Sequence, residues 1–124
     1  MTQEVIISTA AIFGFLSVIF GAFGAHALKK LLSPEQLKSF EVGVRYQMFH
    51  AIVILVLAFN SGLTKPAVYW CFTIGILLFS FSIYGLVLSD ALNKKLRFLG
   101  PVTPIGGLLL ATGWFLLLLS TLIN

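Results

Sequence analysis

Four long apolar stretches separated by short polar links dominate the chain, at about residues 5–28, 42–60, 67–88 and 104–123. A helix needs about 20 apolar residues to cross the hydrocarbon of a bilayer, and each stretch meets or nearly meets that length. Short links favour antiparallel neighbours. The pattern predicts an all-α, integral membrane, four-helix antiparallel bundle, with residues 1–124 forming one domain. No internal repeat or low-complexity segment is evident.

The first stretch ends in GAFGAHALKK, residues 21–30, where Ala25-His26-Ala27 fits the small-x-small pattern of a secretory cleavage site. Yet Met1-Thr2-Gln3-Glu4 lacks the basic residues that open a signal peptide. The run Val5–Leu28 also exceeds the roughly 7–15 residues of a signal's apolar core. It reads as a permanent span. Composition agrees: apolar residues make up 59% of the chain and charged residues 10%, against about 45–50% and about 25% in an ordinary soluble domain. Such a chain lacks the polar surface to cover a globule in water, so lipid is its expected solvent. The only cysteine, Cys71, has no partner within the chain, and no disulfide framework follows.

The net charge of +4 does not come from a basic tract, and no nucleic-acid partner is expected. Lys29, Lys30, Lys38 and Arg45 lie in or beside the first link, and Lys94, Lys95 and Arg97 in the third; only Lys65 is in the second. Positive charge stays in the cytoplasm, which predicts the first and third links inside and both termini outside. In the first link, Ser33-Pro34-Glu35-Gln36 offers a Ser N-cap, Pro at the first helical position and Gln at the third, a capping box. The second helix is therefore expected to start near Pro34 in water and run unbroken into the membrane. Glu41 and Arg45 are four apart, placed either to pair or to form a solvated shoulder.

Polar and small residues inside the spans carry the remaining signal. Gly14, Ser17, Gly21 and Gly24 recur at steps of three and four on the first helix, and Ser17, Gly21 and Ala25 make a small-xxx-small row, a packing face in lipid. Gly43, Tyr46, Gln47 and His50 share one face of the second helix. Counted from Val42 at about 1.5 Å per residue, His50 lies about 12 Å into the layer. Lipid is a costly neighbour for these groups, so this face should point into the bundle or a cavity.

The third helix has two rows, Thr73/Ser80/Tyr84 and Gly75/Ser82/Gly85/Ser89, which predicts its own bundle on one side and a second copy on the other. The fourth opens with Gly100-Pro101-Val102-Thr103-Pro104-Ile105-Gly106-Gly107, which predicts a bent backbone, tolerated at membrane depth where protein or water satisfies it. Trp114 is too deep for an interfacial belt, and its indole N–H is expected to find an internal partner.

Combined with the orientation, these positions predict one polar cluster in the inner half of the membrane, open or close to the cytoplasm and capped by apolar outer halves. The candidate ligand-binding residues are His26, Tyr46, Gln47, His50, Ser80, Tyr84 and Thr103, with Ser82 nearby. The candidate packing residues are Gly14, Ser17, Gly21, Gly24, Ala25, Gly106 and Gly107.

The same stretches resemble a family of small membrane proteins known as domain-of-unknown-function family 423. It has YgdD-like and YwdK-like bacterial members and, more distantly, includes the eukaryotic transmembrane protein 256 group. The similarity runs in order through GAFGAHAL at 21–28, GVRYQMFHAIVIL at 43–55, FSFSIYGLVL at 79–88 and TPIGGLLLATGW at 103–114. One departure is Phe81, where relatives often have Gly. The resemblance implies a four-helix protein of the bacterial inner membrane and supplies no activity.

For function, two histidines, the interfacial Glu41 and one distant cysteine give neither a triad nor a zinc set; no enzyme, metal or cofactor is expected. Haem held by His26 and His50 would need ligands at matching heights, which these are not. The expected function is a non-enzymatic, homo-oligomeric bundle in the lipid bilayer whose cytoplasm-side cluster binds a lipid headgroup, a small ligand or a partner protein. The alternative is a channel or transporter for a small solute or protons formed by an oligomer, with His50 titrating near neutrality. Against it, no broken helix is evident at the midplane.

Overall fold

The structure is a computed structural model describing residues 1–123, and those residues form four helices long and apolar enough to cross a membrane. The first helix (Gln3–Ala25) starts at Thr2, whose side chain accepts from the Val5 N–H at 3.2 Å. Glu4 in its first turn complements the helix dipole. It ends at Ala25 rather than Leu28, and Leu28–Lys30 instead form a separate 3-10 turn. The second helix (Pro34–Ala58) has the expected capping box: Gln36 N–H donates to Ser33 Oγ at 3.2 Å, and Ser33 N–H to Gln36 Oε1 at 2.9 Å. After its end, the Thr64 hydroxyl folds back onto the Leu57 and Asn60 carbonyls, which also accept backbone N–H groups of the turn.

The third helix (Pro66–Ala91) begins with Pro at its first position and contains a π-helical segment, Leu77–Phe81. The segment widens the helix locally without breaking it, and the span runs continuously to Ala91. Beyond the helix, Asn93 takes the left-handed conformation (φ 61°) that Asn tolerates better than most residues. The Ser89 hydroxyl then accepts from Leu96 N–H at 3.1 Å and stitches the third link to the helix end.

The fourth helix (Val102–Ile123) corrects a second expectation. It is a regular α-helix straight through Pro104, Gly106 and Gly107. Pro104 lies in the first turn, where its missing N–H would have had no intrahelical partner. The bend lies upstream, in the 3-10 turn Arg97–Leu99 and at Gly100 and Pro101.

The first helix packs on the second, the second also packs on the third, and the fourth packs on the third, so the third helix is enclosed on two sides. Small residues set these interfaces. An added Cβ on Gly24 would stand 3.2 Å from the Phe40 ring, and one on Gly21 3.6 Å from Val44. Ser17 is buried on the same side. That stripe therefore serves the second helix of the same chain, whereas Gly14 meets open space and Ala25 is exposed.

The row Gly75/Ser82/Gly85/Ser89 likewise faces its own chain, not a second copy. A Cβ on Gly75 would meet Leu110 at 2.7 Å and one on Gly85 would meet Leu99 at 2.6 Å. The tightest approach is at Gly106, whose Cβ would lie 2.3 Å from Phe79 N and 2.6 Å from Leu78 C. The fourth helix thus rests directly on the π-helical backbone. Phe81, the departure from the family pattern, fills space between the first and third helices, edge-on to Phe13 and Phe20.

Candidate functional site

Two apolar clusters make the core. One contains Phe13, Ile54, Phe72 and Ile76; a smaller one, towards the first and third links, contains Leu32, Phe40, Tyr84 and Val87. A polar layer joins them. Gln47, wholly buried, donates from Nε2 to the Phe13 carbonyl at 2.8 Å and accepts at Oε1 from the Tyr84 hydroxyl at 2.6 Å. One side chain thereby links the first, second and third helices. Ser80, also wholly buried, donates to the Gly43 carbonyl at 2.7 Å from within the π-helical segment.

His50 makes the link to the fourth helix. Its Nδ1 lies 2.7 Å from the Tyr46 carbonyl, and its Nε2 lies 3.1 Å from Trp114 Nε1. A carbonyl only accepts and an indole only donates, so the ring is neutral with its proton on Nδ1. Ser82 and Thr103 share a 2.5 Å hydrogen bond between the third and fourth helices, and Ser82 also reaches Phe79 O at 2.9 Å. Higher in the bundle, Thr9 and Tyr69 are joined at 2.6 Å, a link that the sequence reading missed.

The expected single cluster therefore divides. Gln47, Ser80 and Tyr84 form a closed layer, covered towards the first and third links by Leu32 and Phe40. Tyr46 is 41% exposed, its ring packing against Phe79 and near-parallel to His50. His26 is exposed at the end of the first helix and joins none of these groups. Glu41 and Arg45 are exposed as well, a solvated shoulder. Among the described residues, Thr73 Oγ1 is the one buried side-chain polar atom without a hydrogen-bond partner.

The space in the molecule lies elsewhere. A groove of about 880 Å³ runs between the start of the second helix, the end of the third and the third link. Val42, Ile83, Leu86 and Val87 form its apolar part; Glu35, Asp90, Lys95 and Arg97 its charged end. Thr103 is the only expected ligand-binding residue on its wall. Across the groove, Gln36 Nε2 donates to Asp90 Oδ2 at 2.9 Å. The sequence reading took Gln36 as a cap and Lys95 and Arg97 as topology signals. The groove was foreshadowed only in that antiparallel second and third helices bring residues 35–42 and 83–90 to the same end.

The family model described as a protein of unknown function (DUF423) matches residues 20–107. The chain belongs to this family. It is 38% identical to a UPF0382 membrane protein of Staphylococcus haemolyticus, over 96% of each chain. It is 36% identical to the UPF0382 inner membrane protein YgdD of Escherichia coli, over 98% of this chain and 92% of that one. A UPF0382 membrane protein of Schizosaccharomyces pombe is 40% identical, over 86% of this chain and 92% of that one. No solved structure matches. With four apolar helices and these relatives, the chain is a multi-pass membrane protein. The DUF423 match takes in Gln47, Ser80, Tyr84 and the whole groove, while Trp114 lies beyond it.

Proposed function

We propose that this DUF423 chain is a non-enzymatic protein of the bacterial cell membrane that binds a membrane amphiphile in the groove at its cytoplasmic end. The observation that carries this reading is the groove's gradient from an apolar wall of helix residues to a charged end where the helices meet the third link. The volume falls within the roughly 300–1,000 Å³ of ordinary small-molecule sites. The basic residues at this end support its cytoplasmic placement. The buried polar groups support a structural part for themselves, because Gln47, His50, Ser80 and Tyr84 bond one another, Trp114 or backbone, and none of them lines the groove. A conducting role draws no support from a layer closed in this way. The small-residue rows on the first and third helices pack within the chain, which leaves the lipid-facing sides for self-association.

The test is purification in a mild detergent followed by mass spectrometry of what remains bound. A stoichiometric phospholipid is expected, lost on Ser39→Trp, which fills the groove wall from an exposed position. Retention unchanged by Ser39→Trp would place the amphiphile elsewhere.

A further inference from the structure

The groove carries both signs of charge without letting them cancel. Glu35 and Asp90 lie on its helical walls and Lys95 and Arg97 on the link that closes it. Among the described residues no ion pair joins these groups, and the partner held by Asp90 is the neutral Gln36 amide. Two carboxylates and two cations thus stay available to a guest. Along the second helix, Glu35 and Val42 are separated by a rise of about 10 Å, so the charged end and the apolar wall occur at successive depths, as a headgroup and its chains do.

We propose that the guest is a zwitterionic phospholipid with a primary ammonium, phosphatidylethanolamine, its phosphate held by Lys95 and Arg97 and its ammonium by Glu35 and Asp90. This rests on the amphiphile-groove reading above and names the headgroup. An Arg guanidinium presents a fork of donors that fits phosphate oxygens, and a primary ammonium has three N–H donors for carboxylates. A purely anionic headgroup would satisfy the cations and be repelled by Glu35 and Asp90. A quaternary ammonium has no N–H to donate and is held by aromatic cages, whereas no aromatic side chain lines this groove.

The experiment is native mass spectrometry of the full-length protein in detergent, titrated separately with dioleoyl phosphatidylethanolamine, phosphatidylcholine and phosphatidylglycerol. The expected result is retention of the ethanolamine lipid about tenfold above the other two, the size of one charge-assisted bond. Glu35→Gln with Asp90→Asn should abolish the preference over phosphatidylglycerol, and Arg97→Gln should weaken all three lipids. Thermal unfolding of each variant, expected unchanged at these exposed positions, separates headgroup loss from misfolding. Equal or better binding of phosphatidylglycerol or phosphatidylcholine by the wild type would overturn the headgroup assignment and leave the groove reading standing. Failure to retain any phospholipid, or displacement of lipid by a copurified polypeptide, would overturn both.

Discussion

Trp114 donates its indole N–H to Nε2 of His50 across 3.1 Å, tying the fourth helix to the second although each packs mainly on other neighbours. The bond depends on the neutral ring, because a second proton on the imidazole would turn Nε2 from acceptor to donor. His50→Ala and Trp114→Phe remove the same contact, so their costs should be non-additive, with a coupling of about 0.6–1.7 kcal/mol in detergent unfolding. In a Trp70→Phe background, acid should also change Trp114 emission in the His50 protein and leave His50→Gln unaffected. Additive costs would show that the bond contributes nothing.

Gly106 and Gly107 are adjacent and should behave oppositely. A methyl on Gly106 meets backbone of Phe79 and Leu78 at 2.3–2.7 Å, which cannot yield, while one on Gly107 meets the Phe79 ring at 3.5 Å, an ordinary contact. Gly106→Ala should cost at least about 2 kcal/mol or prevent folding, and Gly107→Ala should cost little. Equal melting temperatures for the two would contradict the close approach.

Gln47 bonds in two directions and Tyr84 in one of them. Tyr84→Phe should therefore cost about 1 kcal/mol and Gln47→Leu about twice that, on the scale of interhelical hydrogen bonds in lipid. Equilibrium unfolding by denaturing detergent measures both; similar losses would mean that the Phe13 contact carries no stability.

The unpartnered Thr73 hydroxyl predicts a gain. Thr73→Val keeps the shape and removes a buried polar atom without a partner, and should stabilise the protein by about 1 kcal/mol. A lower unfolding midpoint would reveal a partner for this hydroxyl.

Orientation is checked with single cysteines in a Cys71→Ala background. Thr2→Cys and Ser61→Cys should react with an impermeant thiol reagent in intact cells, and Ser33→Cys only after lysis, as the basic first and third links require. Labelling of Ser33→Cys alone in intact cells would move the groove to the outer face.

The helices, the Ser33–Gln36 cap and the presence of polar groups at depth were legible in the residues because each depends on local spacing: length in lipid, capping geometry, and a face repeated every three or four positions. The internal partner of Trp114 was legible too, because an N–H in the apolar layer has few alternatives. What only the tertiary structure decided was which surfaces meet. The row Ser17/Gly21/Gly24 announces a close neighbour, and nothing within that helix says whether the neighbour is the second helix or another copy; the positions of Val44 and Phe40 do. The π-helical turn at Leu77–Phe81 has no local cause visible in its apolar run, and in the structure it lies where Gly106 presses on backbone and Ser80 reaches Gly43. Glu35, Asp90, Lys95 and Arg97 are ordinary interfacial charges along the chain. They share one groove only because the second helix begins, and the third ends, on the same side of the bundle.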